Sequence, residues 1–165
     1  MAHRLEKRSS VAQYEFVSIW YLTAPIWTVW HTISQPWHWP TWWRGLQRVE
    51  QLAPGEANGL GSTYRFVWKG PLPYRLTLSI RIIRVESPTV LEGEVSGGLH
   101  GLGRWQLSEA GDGTRVDFAW QVDGSQPWMR YVVPLTRRLF HWNYQRLMAL
   151  GRQGLEQYLQ NPTSS

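Results

Sequence analysis

Tyr74 to Ile82 reads Tyr-Arg-Leu-Thr-Leu-Ser-Ile-Arg-Ile, so that Tyr74, Leu76, Leu78, Ile80 and Ile82 alternate with Arg75, Thr77, Ser79 and Arg81. Successive side chains of a β-strand point to opposite faces, and a period of two therefore predicts a strand with one dry and one wet face. The same phase recurs around it, in Tyr64, Phe66 and Trp68, in Leu91 and Val95 against Glu92 and Glu94, in Trp105 and Leu107, and in Val116, Phe118, Trp120 and Val122. Turn residues separate these runs at Pro54-Gly55, Asn58-Gly59, Gly70-Pro71, Ser87-Pro88, Gly97-Gly98 and Gly111-Asp112-Gly113. Six antiparallel strands between Gly45 and Gly124, covered on one face, are the expectation.

Outward from this block, Gln13 to Leu22 is aromatic and β-branched, which predicts one more strand, stopped by Thr23-Ala24-Pro25. Pro25 to Ile33 places Ile26, Val29, Trp30 and Ile33 on one side of a helix, with Thr23 or Ala24 before it and Pro25 near its first turn. Pro36 to Trp43 predicts a second short helix or turn, kept short by Pro40. A long helix is expected from about Pro134 to Gln160, preceded by an irregular turn from Gln126 to Val133. On it, Thr136, Phe140, Asn143, Leu147, Leu150, Gly154 and Tyr158 form one stripe, with Arg137, Arg138 and Arg152 nearly opposite. The order β-α-α-β6-α predicts an α+β architecture in which a curved antiparallel sheet of about seven strands wraps around a long C-terminal helix. One domain is expected over residues 13–160, between a flexible N-terminus (1–12) and a frayed tail (161–165).

The 165 residues include no cysteine, which excludes thiol catalysis, cysteine-ligated zinc and a disulfide framework. Neither a signal peptide nor a run of the ~18 apolar residues of a membrane span is visible, so a cytoplasmic location is the default expectation. Twelve tryptophans stand beside 7 tyrosines and 4 phenylalanines. Such a surplus of large flat side chains predicts thick packing or the wall of a site for an apolar ligand. The formal charge of +5, from 17 Lys+Arg against 12 Asp+Glu, adds weak contact with an anionic membrane surface as an expectation.

Four local patterns carry a family resemblance: Trp20-x-Leu22-x-Ala24-Pro25-x-x-x-Val29-Trp30, Trp39-Pro40-x-Trp42, Gly59-x-Gly61, and Phe140-His141-Trp142-Asn143 followed by Met148, Gly151, Gly154 and Leu155. Over about Gln13 to Leu159 the chain resembles the SRPBCC or START-like superfamily, in its polyketide cyclase/dehydrase and lipid-transport branch. The resemblance implies a helix-grip fold with a cavity between sheet and long helix that holds lipids, sterols, polyketides or plant hormones. Members differ widely in chemistry, so the fold implies the pocket more than the reaction. Relatives in one subgroup carry His after the helix asparagine, where this chain has Tyr144.

The expected ligand wall comprises Tyr64, Phe66, Trp68, Leu78, Ile80, Trp105, Phe118 and Trp120, with Tyr74 in the same phase and Phe140, Asn143 and Leu147 from the helix. Whether these residues enclose a void or fill it is open at this stage. Trp37, Trp39, Trp42 and Trp128 are candidate residues of the cavity entrance. Asn143 falls within the apolar stripe, where an unpaired amide costs ~1–3 kcal/mol, so it bonds a strand carbonyl, Tyr64 or Tyr74, or meets a ligand's polar group.

Acid/base chemistry needs a titratable group within reach of the reacting atom, and no Asp, Glu or His falls in the inward phase. Should the protein be an enzyme, of cyclase, aromatase or dehydratase type, Tyr64, Tyr74 and Asn143 are the candidates to position an enolate. His31, His38, His100 and His141 lack metal-ligand spacing, and no P-loop or dinucleotide fingerprint occurs, so neither metal nor cofactor is expected. Nucleic acid is not an expected partner. Three functions follow in order: binding or transport of a hydrophobic small molecule such as a lipid, polyketide or aromatic compound; a polyketide cyclase or aromatase; and a peripheral membrane or protein-interaction module using Arg130, Arg137, Arg138 and Arg152.

Overall fold

The computed structural model describes residues 13–70, 75–123 and 135–161. Tyr74, Trp128, Arg130, the predicted turn at 126–133, the N-terminal 1–12 and the tail beyond Asn161 lie outside them. The chain runs β1 (Gln13–Leu22), α1 (Ile26–Ile33), a 3-10 turn (Pro36–His38) continuing into α2 (Trp39–Trp42), then β2 (Leu46–Ala53), β3 (Thr63–Trp68), β4 (Leu76–Glu86), β5 (Val90–Gly97), β6 (His100–Ala110), β7 (Gly113–Asp123) and α3 (Leu135–Gln160). The seven strands form one antiparallel sheet in the order β1-β7-β6-β5-β4-β3-β2. Only β1 leaves its sequence neighbours, to pair with β7 over its whole length from Gln13↔Asp123 to Leu22↔Thr114. Register shifts in β2 and between Ile82 and Arg84 mark bulges, which bend a strand and tighten its twist. The result is the curved sheet and long helix expected from the alternation.

The helical pair caps one end of this sheet. Pro25, in extended conformation, forms the N-cap of α1 next to its first turn, and Val29, Trp30 and Ile33 are buried. Trp39 donates its indole hydrogen to the carbonyl of Ile33 at 3.1 Å, which ties α2 back onto α1. Beneath them the tryptophans pack edge to face, as aromatic quadrupoles prefer: Trp20 against Trp105 at 5.5 Å, Trp39 against Trp105 at 5.7 Å, and Trp43 against Trp68 at 4.9 Å. Thr114, 1 % exposed, donates its hydroxyl hydrogen to the Ala24 carbonyl at 2.7 Å and pins the β1–α1 corner to β7. Much of the aromatic surplus therefore serves packing.

The long helix turns a different face inward from the predicted one. Tyr144, Met148, Gly151 and Leu155 are its buried residues, whereas Asn143, Leu150 and Gly154 are only half-buried and Leu147 likewise. The seated face is about a quarter turn from the stripe drawn through Asn143 and Leu147. Its cause is contact with α2: Gly151 lies against the indole of Trp43 and Gly154 against the backbone carbonyl of Trp42, and Trp43 donates its indole hydrogen to the Leu147 carbonyl at 2.8 Å. Among the described residues no helix is long and apolar enough to cross a membrane.

Candidate functional site

Between the concave face of the sheet and α3 lies a void of about 120 Å³. Alternation builds its wall, because each strand sends every second residue inward. Phe66 and Trp68 come from β3, Leu76, Leu78, Ile80 and Ile82 from β4, Leu91 and Val95 from β5, Trp105 from β6, and Phe118 and Trp120 from β7. Two inward positions are glycines, Gly93 and Gly103, which pair across β5 and β6. A Cβ at Gly103 would meet the Phe118 ring at 3.8 Å, an ordinary contact distance, so the missing side chain leaves space. Tyr144, Leu147 and Met148 form the roof, and Pro36, Trp39 and Trp43 close the end under the helical pair.

Among the described residues the lining carries no Asp, Glu, His, Lys or Arg, and its one hydroxyl is that of Tyr144. The tyrosine ring stacks obliquely on Phe16 at 4.8 Å, and its oxygen lies 3.0 Å from the Ser18 hydroxyl of β1. Burial pushes its pKa up from the ordinary 10 to about 12, against the opposing effect of the Ser18 hydrogen bond. Loss of the proton would leave a charge among carbon atoms, so at neutral pH the group is a hydrogen-bond donor and no base.

Of the expected wall, Phe66, Trp68, Leu78, Ile80, Trp105, Phe118, Trp120 and Leu147 line the void. Tyr64, Phe140 and Asn143 do not. Tyr64 is buried beside Trp37 and Phe66 near the β2 edge of the sheet, away from the helix. Asn143 points its Oδ1 at Gly70, where an added Cβ would stand 2.7 Å away, and this buried oxygen has no partner among the described residues. The strand carbonyl, Tyr64 and cavity roles expected of Asn143 are thus not what its position serves. Phe140, one turn before Tyr144, is half-buried and not part of the lining. The enolate-positioning set of Tyr64, Tyr74 and Asn143 does not converge on the void through its two described members.

Among the entrance residues, Trp39 lines the void and Trp37 is half-exposed outside it. Trp42 is instead a core residue: it is 4 % exposed and stacked on Trp43 at 5.4 Å, with Trp39 on it at 6.0 Å, so its ring packs within the tryptophan cluster. Sequence reasoning missed Tyr144 and Met148 as site residues, although Tyr144, Met148, Gly151 and Leu155 also recur at helical spacing. No group of three or more His, Asp or Glu stands together as a metal site among the described residues.

Residues 20–153 match the family model described as polyketide cyclase / dehydrase and lipid transport. The chain belongs to this family. Solved structures agree on the fold of this family member. TTHA0849, a protein of Thermus thermophilus, has a TM-score of 0.72 at 18 % identity, with 92 % of this chain and 100 % of that one covered. The Zhui aromatase/cyclase of Streptomyces sp. R1128 has 0.73 at 12 %, covering 93 % and 98 %. Ginseng major latex-like protein 151 from Panax ginseng has 0.69 at 12 %, covering 88 % and 97 %. No curated protein matches this family member in sequence.

Proposed function

We propose that the protein binds a compact hydrophobic molecule, most suitably one with an aromatic ring, between its sheet and α3. The observation that carries this reading is the void of about 120 Å³ with its wall of carbon. An apolar cavity of about 150 Å³ takes a benzene molecule, so the space suits one ring better than an extended lipid or polyketide chain. Affinity comes from burial, at roughly 25 cal/mol per Å² before the cost of association, and the rigid aromatic wall keeps the ordering cost small. Binding is favoured over chemistry because, among the described residues, no carboxylate or imidazole lines the space and Tyr144 keeps its proton. A cyclase reaction of the kind named for the Streptomyces neighbour would have to run on hydrogen bonding alone. Native mass spectrometry of freshly purified protein tests the reading, supported by NMR titration with small aromatic probes. A co-purified mass or saturable shifts of the Trp105 and Trp120 indole signals are expected. Bare protein together with no shift across a panel of one- and two-ring compounds would sink it.

A second reading concerns the outer face of α3. Trp142 and Leu139 are 52 % and 43 % exposed, and Arg138 and Arg146 flank them one turn away. Tryptophan set among arginines suits the interface of an anionic bilayer, where each basic residue contributes ~1 kcal/mol. Co-sedimentation with phosphatidylglycerol vesicles, lost in Trp142→Ser and at high salt, is the expected result. Equal recovery without vesicles would remove this reading.

A further inference from the structure

The pair formed by Tyr144 and Ser18 defines which compact ligands the cavity prefers, and the inference rests on the binding role proposed above. Ser18 shares the inward phase of β1 with Phe16 and Trp20, and in the sheet it stands opposite Phe118. Its oxygen and that of Tyr144 are 3.0 Å apart, and neither group has another hydrogen bond among the described residues. Two hydroxyls carry two hydrogens, and one bond between them uses one. Whichever group donates, one hydroxyl hydrogen has no acceptor among the described residues, and when it is that of Tyr144, which is 6 % exposed, it lies among aromatic rings. Leaving a buried donor unmade is costly, so this hydrogen has a stronger claim on an incoming acceptor than on the apolar wall.

Either hydroxyl can donate in this pair, and a ligand acceptor in the void would select the arrangement in which the Tyr144 hydrogen is spare. Tyr144 faces the void, whereas Ser18 is not part of its lining. With Ser18 donating to the phenolic oxygen, the Tyr144 hydrogen is free to turn into the cavity, and the phenolic oxygen, having accepted one bond, is a poorer acceptor for a ligand's own donor. An uncharged acceptor is favoured, because among the described residues no Lys, Arg or His lines the void to offset the cost of stripping water from an anion.

We infer that the cavity selects a neutral one-ring compound with a single hydrogen-bond acceptor, a ketone or aldehyde oxygen in particular, held by the Tyr144 hydroxyl with Ser18 as its positioning residue. The rest of the molecule is recognised by shape and burial alone. Tyr144 is thus a specificity-determining residue that neither the inward alternation of the strands nor the helix stripe through Asn143 picks out.

Acetophenone and ethylbenzene make the test, since they differ by a carbonyl in place of a methylene. Both are titrated by NMR into the wild-type protein, Tyr144→Phe and Ser18→Ala, with benzoate as the charged control. Tyr144→Phe should weaken acetophenone about tenfold and leave ethylbenzene within about twofold, because an uncharged hydrogen bond is lost while the buried area is kept. Ser18→Ala should retain most of the ketone preference, and benzoate should not bind. The infrared carbonyl stretch of bound acetophenone should lie lower in wild-type protein than in Tyr144→Phe, a shift that a purely structural role of the tyrosine does not produce. Equal losses for both probes, no loss for either, or a preference abolished fully by Ser18→Ala would overturn the assignment to Tyr144. Failure of ethylbenzene as well as acetophenone to bind wild-type protein would instead remove the binding reading and this inference with it. Ethylbenzene binding without ketone preference would remove only the inference.

Discussion

Replacing Gly154 by alanine measures how α3 is held over the cavity. In an isolated helix the change stabilises by about 1 kcal/mol, because glycine has the larger backbone entropy to lose. Here an added Cβ would run into the Trp42 carbonyl oxygen and stand 2.8 Å from its carbon. Ordinary contact begins at 3.4 Å, so the carbon alone demands a separation of about 0.6 Å between helix and α2, and the oxygen demands more. Both groups are main chain, and no side-chain rotation relieves the clash. Parting them loosens Leu155, which is fully buried, and stretches the 2.8 Å bond from Trp43 to the Leu147 carbonyl. Overpacking costs about 1–3 kcal/mol and the hydrogen bond about 1, which outweigh the helix gain and leave a net loss of about 1–3 kcal/mol. A domain of this size then melts about 3–10 °C lower. Urea and thermal unfolding followed by circular dichroism give the value, with the exposed neighbour Gln153→Ala as a control near zero. Acetophenone affinity should fall in the same variant, since Tyr144, Leu147 and Met148 ride on the helix. A melting temperature equal to or above that of the wild type would refute this seating of α3.

Three further outcomes are expected. Tyr144 has a folded pKa of about 12 against an unfolded 10, so the unfolded chain holds fewer protons between these values. Stability should therefore be complete below pH 10 and fall by up to roughly 3 kcal/mol as pH rises toward 12, and urea titrations should show a smaller fall in Tyr144→Phe. Gly103→Val should cut acetophenone affinity at least about fivefold while changing stability by less than about 1 kcal/mol, because its methyl groups enter empty space; a loss above about 2 kcal/mol in denaturant would mean that the space is not there. Thr114→Val keeps the shape but leaves the Ala24 carbonyl without its 2.7 Å donor, for a loss of about 1–3 kcal/mol in the same assay.

The strands are legible because alternation is local. Arg75 to Ile82, Glu92 to Val95 and Val116 to Val122 each show their inward phase within a few residues, and the strand that carries a residue decides whether it can face α3. The helix is harder to read. Apolar side chains occur on several of its sides, Leu139 and Trp142 included, so more than one stripe can be drawn. Local spacing cannot choose between Asn143–Leu147 and Tyr144–Met148, because the choice depends on Trp42 and Trp43, about a hundred residues earlier. Trp42 is ambiguous for the same reason: a tryptophan on a short helix serves equally as a gate or as a seat, until the partner helix is known.

By itself the sequence determined the α+β class, the order of the elements, and the inward set Phe66, Trp68, Leu78, Ile80, Trp105, Phe118 and Trp120, since period and turn chemistry act between near neighbours. Only the tertiary structure decided that these residues leave a void, that Tyr144 roofs it, and that its hydroxyl meets Ser18. Those are questions of volume and of helix rotation, settled by close contacts of Gly151 and Gly154 with residues far away in the chain.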